Sequence, residues 1–283
     1  MTRVAVVGSY GVGLTFGLQR WPERGETLVG TLFRTDHGGK GSNQAIGAAR
    51  LGADVVLLTA VGEDAFGDEA VRLWADEGVD ASAVIRARLP TMTAAILVEA
   101  GGDNRIVIVP GALSALAPEH VDAFARQIAA ADVLLVQLEI PVETALHALE
   151  LGRDAGVRTV LNPAPAPPEP IAPVADYLTP NETEAPAVAG ARGTTVLTLG
   201  EQGARIGGEH VPAFPARVVD TTGAGDAFSA AFAVALAEDR PTLEAVRWGC
   251  AGGAHMVEHE GVVPGLPTRA ELEERLGVAV RPA

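Results

Sequence analysis

The chain has 283 residues, of which 48% are hydrophobic and 20% charged, and its formal net charge is −15. The length suits one large α/β domain or two small ones, and the composition is that of a globular protein with a substantial core. The negative charge argues against nonspecific binding to nucleic acid or to an acidic membrane, though a nest of backbone N–H groups can still hold a phosphate on an acidic protein.

The first apolar run, Arg3–Val7, is short, β-branched and ends at Gly8. It is too short for a signal peptide or a membrane span, so a cytoplasmic protein is expected. Similar runs recur at residues 54–61, 132–138, 157–161, 175–178 and 194–199. Helix-patterned stretches lie between several of them, at 43–51, 65–77, 118–130 and 142–155. Apolar strands alternating with helices predict an α/β fold with a mostly parallel sheet covered on both faces. Ligands of such sheets bind beyond the carboxyl ends of the strands. Residues 14–34 and 92–109 break the alternation and read as hairpins, the second turning at "GGDN" (101–104). Together they predict a small accessory sheet. The proline-rich stretch 162–173 reads as a stiff loop rather than a linker. Cys250 is the only cysteine, so no intramolecular disulfide or multi-cysteine metal site exists. Its neighbours Gly249, Ala251 and Gly252 mark it as a small buried helix residue.

Three motifs carry chemistry. "DTTGAGDAF" (220–228) leads into an alanine-rich apolar helix, so its glycines stand at or before a helix N-terminus. The first N–H groups of a helix lack internal partners and bind anions, and glycine lets a ligand approach them closely. Asp226 beside such an anion hole is placed to accept a hydroxyl proton while the hole stabilises a transferring phosphoryl group. The bland alternative is that Asp226 merely complements the helix dipole. "GGKGSNQA" (38–45) puts three glycines around Lys40, without the spacing of a phosphate-binding P-loop. A glycine hinge near a polar ligand and a flexible turn with a solvated lysine both fit it. Nor do Gly8, Gly11 and Gly13 match the dinucleotide fingerprint, which argues against a nicotinamide-dependent oxidoreductase. "TPNETE" (179–184) follows a strand. Asn181 and Glu184 either hold hydrated Mg²⁺ or form a helix cap with an acidic first turn. Asn162 and Glu139, each after a strand, point toward the same edge.

In this order and at these separations the motifs resemble the ribokinase-like (PfkB) sugar kinases, across nearly the whole chain. "GGKGSNQA" resembles the family's first signature and "DTTGAGDAF" its second, while "LNPAPA" (161–166) and "TPNETEA" (179–185) look more like the family's ribokinases than its fructokinases or adenosine kinases. The resemblance implies one three-layer α/β/α domain spanning residues 1–283, with a small β-sheet lid from strands within about 14–35 and 91–110 that often serves as a dimer contact. It implies ATP- and Mg²⁺-dependent phosphorylation of a sugar hydroxymethyl group, with K⁺ as activator. Carried over by motif, Asp226 is the base, and Gly223, Ala224 and Gly225 form the anion hole. Asn181 and Glu184 organise Mg²⁺ and phosphate. Thr198, Gly200 and Gly203 are nucleotide contacts. Gly38, Gly39, Lys40, Asn43 and Glu139 lie on the sugar side. Asp220 and the Thr222 carbonyl resemble ligands of the monovalent cation. A noncatalytic sugar or nucleotide sensor of the same fold would be expected to lose the base or the anion hole, and both are kept here.

Three stretches depart from the family pattern. After the first strand the family's ribokinases usually carry "GSxNxD", whose Asn and Asp grip ribose hydroxyls. Here the stretch is "GSYGVG", and those positions are Gly11 and Gly13. Ribose is therefore expected to be a poorer acceptor, with a nucleoside, another furanose or a hexose as alternatives. The segment 184–194 is short, without room for a helix found in longer relatives. "VEHEGVVPG" (257–265) matches the cation loop only loosely.

Overall fold

The computed structural model describes residues 2–277. In chain order the elements are β1 (Arg3–Val7), β2 (Gly11–Leu18), β3 (Leu32–Gly38), α1 (Lys40–Arg50), β4 (Asp54–Leu58), β5 (Ala60–Gly62), α2 (Ala65–Asp76), β6 (Val79–Asp80), β7 (Ile85–Ala87), β8 (Thr93–Glu99) and β9 (Asn104–Val109). There follow α3 (Pro118–Ala129), β10 (Val133–Gln137), α4 (Val142–Asp154), β11 (Arg158–Asn162), β12 (Val174–Leu178), β13 (Arg192–Thr198), β14 (Ala204–Ile206), β15 (Glu209–Val211), α5 (Ala224–Ala237), α6 (Thr242–Met256), α7 (Val262–Gly265) and α8 (Arg269–Leu276).

Nine strands form the central sheet in the order β15-β14-β13-β12-β11-β10-β1-β4-β6. It is parallel except for the β13–β14–β15 edge. Both faces are covered, so strand residues alternate between two cores. Val4 and Val6 of β1 join Val133 and Leu135 of β10 in the core beneath α1, α2, α5 and α6. Ala5 and Val7 join Leu134 and Val136 in the core beneath α3 and α4. The parallel sheet covered on both faces that the apolar runs predict, and the three-layer α/β/α arrangement that the resemblance implies, are both met. From β1 the chain goes first to β4 on one side and only later to β10 on the other. The order therefore reverses at the β1/β10 crevice, where open parallel sheets bind ligands.

The lid is a separate four-stranded sheet, β3-β2-β8-β9, antiparallel except for the β2/β8 pair. Its strands start earlier and end later than the sequence indicates: β2 begins at Gly11 and β3 runs to Gly38. The run 54–61 is not one strand either. The chain leaves the sheet at Thr59, and Ala60–Gly62 pairs with β7 in a two-stranded ribbon. α1 begins at Lys40 because Gly39, at φ 90°, makes the turn with its α-carbon so close to Tyr10 that a Cβ would sit 2.5 Å from Tyr10 Cα. The short segment after Glu184 holds one 3₁₀ turn, Ala185–Val188, as its length indicates. Cys250 is buried in α6, and burial pushes its thiol pKa up to about 12.

Candidate active site

The loops beyond the carboxyl ends of β1, β10, β11, β12 and β13 converge on the N-termini of α1 and α5. α5 starts at Ala224, with Gly223 as its cap at φ 81° and no side-chain capping bond. A Cβ on Gly223 would lie 2.6 Å from Val262 Cγ1, so α7 packs directly behind this turn. At Gly225 the opposite holds: a Cβ would meet nothing within 4 Å. In the first turn of α5 the Ala224 N–H donates to the Thr221 carbonyl at 3.3 Å, while the N–H groups of Gly225 and Asp226 find no partner among the described residues and adjoin that open space.

Asp226 lies in that turn and is only 5% exposed. Its two oxygens are held separately: Asn43 Nδ2 donates to Oδ2 at 2.8 Å and Gln44 Nε2 to Oδ1 at 3.0 Å. Gln44 Nε2 also donates to Asn162 Oδ1 at 3.1 Å, and Gln137 Nε2 donates to Gln44 Oε1. Asn162 Nδ2 in turn donates to the Thr179 carbonyl at 3.1 Å. Two amides of α1, Asn43 and Gln44, therefore donate to one carboxylate, and Gln137 of β10 and Asn162 of β11 brace Gln44 behind it. Donors on both oxygens fix that carboxylate in orientation. Asn43 Oδ1 is buried and finds no protein partner among the described residues. An orphaned acceptor beside a carboxylate suits a ligand hydroxyl.

On the α1 side, Glu139 Oε2 accepts from Ser9 Oγ at 2.5 Å and from the Lys40 N–H at 2.8 Å. Glu139 thus caps α1 and ties together the two strands flanking the β1/β10 crevice. Lys40 is partly buried. Burial lowers its pKa, but the carboxylates of Asp226, Glu139 and Glu184 outweigh that and hold it above the usual lysine range. Lys40 therefore feels both halves of the cleft. Gly38 and Gly39 form the turn before α1, and Gly38 pairs with Gly11 at the root of the lid.

Asn181 and Glu184 bond each other reciprocally across a turn that leads into the 3₁₀ turn Ala185–Val188, so the expected cap heads no α-helix. Asn181 Oδ1 accepts from the N–H groups of Thr183 and Glu184, and Glu184 Oε2 accepts from the Asn181 N–H, each at 2.9 Å. Glu184 nonetheless faces the cleft. Desolvation raises its pKa, and Asp226 adds to that, against the lowering by the Asn181 N–H and Lys40. Among the described residues no group of three or more His, Cys, Asp or Glu is placed to hold a metal ion. Thr198, at the end of β13, bridges to Asn181, and its N–H donates to the Pro180 carbonyl at 2.9 Å. Gly200 and Gly203, both with positive φ, make the turn that follows.

Behind the α5 turn, Asp220 Oδ1 accepts from the Thr222 N–H at 2.9 Å. Burial works to raise the Asp220 pKa, but hydrogen bonds from Thr222 and Gly261 and the nearby Arg34 charge prevail and keep it low. The N–H groups of Val219 and Asp220 both donate to the Val257 carbonyl, at 2.7 and 3.2 Å, so the loop 257–265 does pack against Asp220.

Gly11 and Gly13 do not simply leave space. A Cβ on Gly11 would lie 2.2 Å from Met92 Cε, so the Met92 methyl already fills that position. At Gly13 the nearest atom to a Cβ would be Ile96 Cδ1, at 3.3 Å. Sequence reasoning missed Ser9, Gln44, Gln137 and Met92. Gln44 stands beside Asn43 in the motif, but nothing in a linear string shows that two adjacent helix residues both reach the same carboxylate.

The model of the pfkB family carbohydrate kinases matches residues 1–269. A ribokinase of Bacillus subtilis (strain 168) is 39% identical over 292 residues, covering 98% of this chain and all of its own length (100%). A deoxyribokinase of Salmonella typhi is 34% identical over 302 residues, covering 97% of this chain and 99% of its own. Among solved structures, Arabidopsis thaliana ribokinase complexed with ribose and ATP matches with a TM-score of 0.88 at 30% identity, over 98% of this chain and 99% of that one.

Proposed function

The chain belongs to the pfkB family of carbohydrate kinases, and on that premise we propose how its cleft transfers a phosphoryl group and which acceptor it takes. The enzyme is an ATP-dependent sugar kinase. The observation that carries the mechanism is Asp226, buried in the first turn of α5 beside an uncovered anion cradle. Asp226 takes the proton of the sugar hydroxymethyl group as that oxygen attacks the γ-phosphorus. The new O–P bond forms as the bond to the β-phosphate oxygen breaks and ADP leaves. The N–H groups around Gly223, Ala224 and Gly225 hold the equatorial oxygens of the transferring group, where charge accumulates. Asn43 and Gln44 keep Asp226 aimed, and Lys40 balances charge between sugar and phosphate.

Thr198, Gly200 and Gly203 line the nucleotide side, and Gly38, Gly39, Lys40, Asn43 and Glu139 the sugar side. A magnesium ion bound with the nucleotide would neutralise phosphate charge, its water shell resting on Asn181 and Glu184. Asp220, held ionised, and the Thr222 carbonyl suit a potassium ion that orders the α5 turn from behind. The whole chain acts as one catalytic unit in the cytoplasm. Its lid, which exposes Leu32, Phe33, Ile106, Val107, Ile108 and Val109, serves as a homodimer contact.

For the acceptor we propose a furanose sugar whose hydroxyl pattern is not optimised around ribose, with 2-deoxyribose as first candidate. The support is the apolar Met92 methyl over Gly11, where a polar side chain would read a hydroxyl. An ADP-release screen with ATP, Mg²⁺ and K⁺ across pentoses, deoxypentoses, hexoses and nucleosides tests this. Turnover of at least one furanose is expected. A micromolar KM for ribose together with the highest kcat/KM of the panel would overturn the altered specificity.

A further inference from the structure

Given that kinase reading, we propose that Asp36 is a substrate-binding residue of the lid, supplying from β3 the carboxylate that Gly13 on β2 lacks. The antiparallel register places Asp36 directly opposite Gly13. Directly opposed residues share a face of the sheet, with Cβ positions about 4.5–5.5 Å apart. The carboxylate is therefore displaced by one strand, not lost. The same face carries Gly11 and Thr15 of β2, Gly38 and Arg34 of β3, and Ala94 and Ile96 of β8.

That face reaches the body of the enzyme at Arg34. Arg34 Nη1 donates across the gap to Glu260 Oε1 at 2.5 Å, in the loop that packs against Asp220. At its root, the face continues through Gly38 and Gly39 to the Lys40 N–H held by Glu139. Near Gly11 and Gly13 it is otherwise apolar, with Met92 Cε and Ile96 Cδ1 as the closest side-chain atoms. Asp36 is also preset. Arg34 Nε donates to Asp36 Oδ2 at 2.6 Å, while Oδ1 accepts no hydrogen bond among the described residues. Because Arg34 is anchored to Glu260, it holds Asp36 over the cleft when lid and body are in contact. A polyhydroxylated ring under the lid would present a hydroxyl to Asp36 Oδ1, on the side of the ring nearer β3.

The geometry permits an exchange test. Gly13 is not in the left-handed region, and a Cβ there needs Ile96 to give by only a few tenths of an ångström. The Asp36→Ala variant should raise the sugar KM by roughly ten- to a hundredfold, the range for a lost hydrogen bond to a charged group. ATP KM and kcat should each change less than about twofold. The double variant Gly13→Asp/Asp36→Ala should recover most of the loss. Arg34→Met, which breaks the ion pair but keeps the carboxylate, should raise the sugar KM less than Asp36→Ala does. Calorimetric titration of D-ribose and 2-deoxy-D-ribose into wild type and Asp36→Ala, without ATP, reads the same contact independently of turnover. Absence of kinase activity with binding intact would reject the kinase reading while leaving this contact measurable. An unchanged sugar KM and affinity in Asp36→Ala overturns the inference. So does an Arg34→Met defect equal to that of Asp36→Ala with no recovery in the double variant, which would make Asp36 only an ion-pair partner.

Discussion

The two halves of the cleft are built differently. The half proposed for the phosphate comes largely from one stretch, residues 220–226, whose glycines, backbone N–H groups and two carboxylates, Asp220 and Asp226, are contiguous. The half proposed for the sugar draws on separate segments: Ser9 and Gly11, Asp36, Lys40 and Asn43, Met92 and Glu139. Backbone cradles are written in local sequence, because glycine and a helix start fix where N–H groups point. Side-chain walls are written in register and topology. Damage to the first half should therefore appear mainly in kcat, and damage to the second mainly in the sugar KM.

The largest effect expected is that of Asp226→Asn. An amide cannot accept the hydroxyl proton, and Asn43 and Gln44 would then meet a partly mismatched partner. General base catalysis contributes about 10²–10⁴-fold, so kcat should fall by at least about a hundredfold with ATP binding largely intact. A variant keeping more than about a tenth of wild-type kcat would mean that less than ~1.4 kcal/mol of the barrier depends on the base, and the assignment would fail.

A second pair of variants separates the cradle's shape from its stability. Gly225→Ala places a methyl in open space over the α5 N-terminus, so the protein should fold with an unchanged melting temperature. The methyl would stand where phosphate oxygens approach, so kcat should fall by about tenfold or more while the sugar KM holds. Gly223→Ala should instead lower the melting temperature, because φ is 81° there and Val262 blocks the Cβ. Steady-state kinetics with thermal melts distinguish the two. Equal melting losses would erase the proposed difference between the front and back of the turn.

The same contrast explains how much of the molecule was legible in the sequence. The parallel sheet, the anion turn and Asp226 follow from apolar runs and one glycine-rich motif. The pairing of Asn181 with Glu184 was legible from their spacing, but it closes a turn before a single 3₁₀ turn and caps no α-helix. The amide chain through Gln44 and Gln137 was not, because it joins residues 93 positions apart. Nor was the lid's sugar-facing side. Two glycines read as missing side chains, yet one of them, Gly11, is covered by Met92, which stands just before β8 some eighty positions away. The loop 257–265 matches the cation loop only loosely in sequence, yet its Val257 carbonyl accepts from the Val219 and Asp220 N–H groups, a contact no linear reading shows.

A smaller effect is expected from the monovalent cation. Replacing K⁺ by a bulky organic cation at equal ionic strength should lower kcat or phosphate affinity by a few-fold and leave the sugar KM unchanged. The cation would act through the α5 turn, which the Asp220–Thr222 bond supports from behind. Arg34 already offsets part of the Asp220 charge, so the dependence should be modest rather than absolute. Equal rates in the two salts would remove the cation from the mechanism.

The smallest effect lies on the sugar side, in the discrimination between ribose and 2-deoxyribose. A ring hydroxyl facing Gly11 would meet the Met92 methyl and a glycine α-carbon, neither of which accepts a hydrogen bond. Leaving a buried hydroxyl unpaired costs about 1–3 kcal/mol, which favours a substrate with C–H at that place. Met92 ends in a flexible thioether, so a water or a shifted rotamer should soften the penalty to its lower end. The expected ratio of kcat/KM for ribose to that for 2-deoxyribose is therefore at or below about one, reached mainly through KM. Met92→Ser, which places a hydroxyl near Gly11 and opens the wall to water, should move the ratio toward ribose by a few-fold without changing kcat on 2-deoxyribose. Gly11→Asn alone should not, because its Cβ meets the Met92 methyl; paired with Met92→Ala it should. A wild-type preference for ribose above about tenfold would show that the Met92 side of the ring carries no discrimination. The lid's selectivity would then rest on β3, where Asp36 faces Gly13.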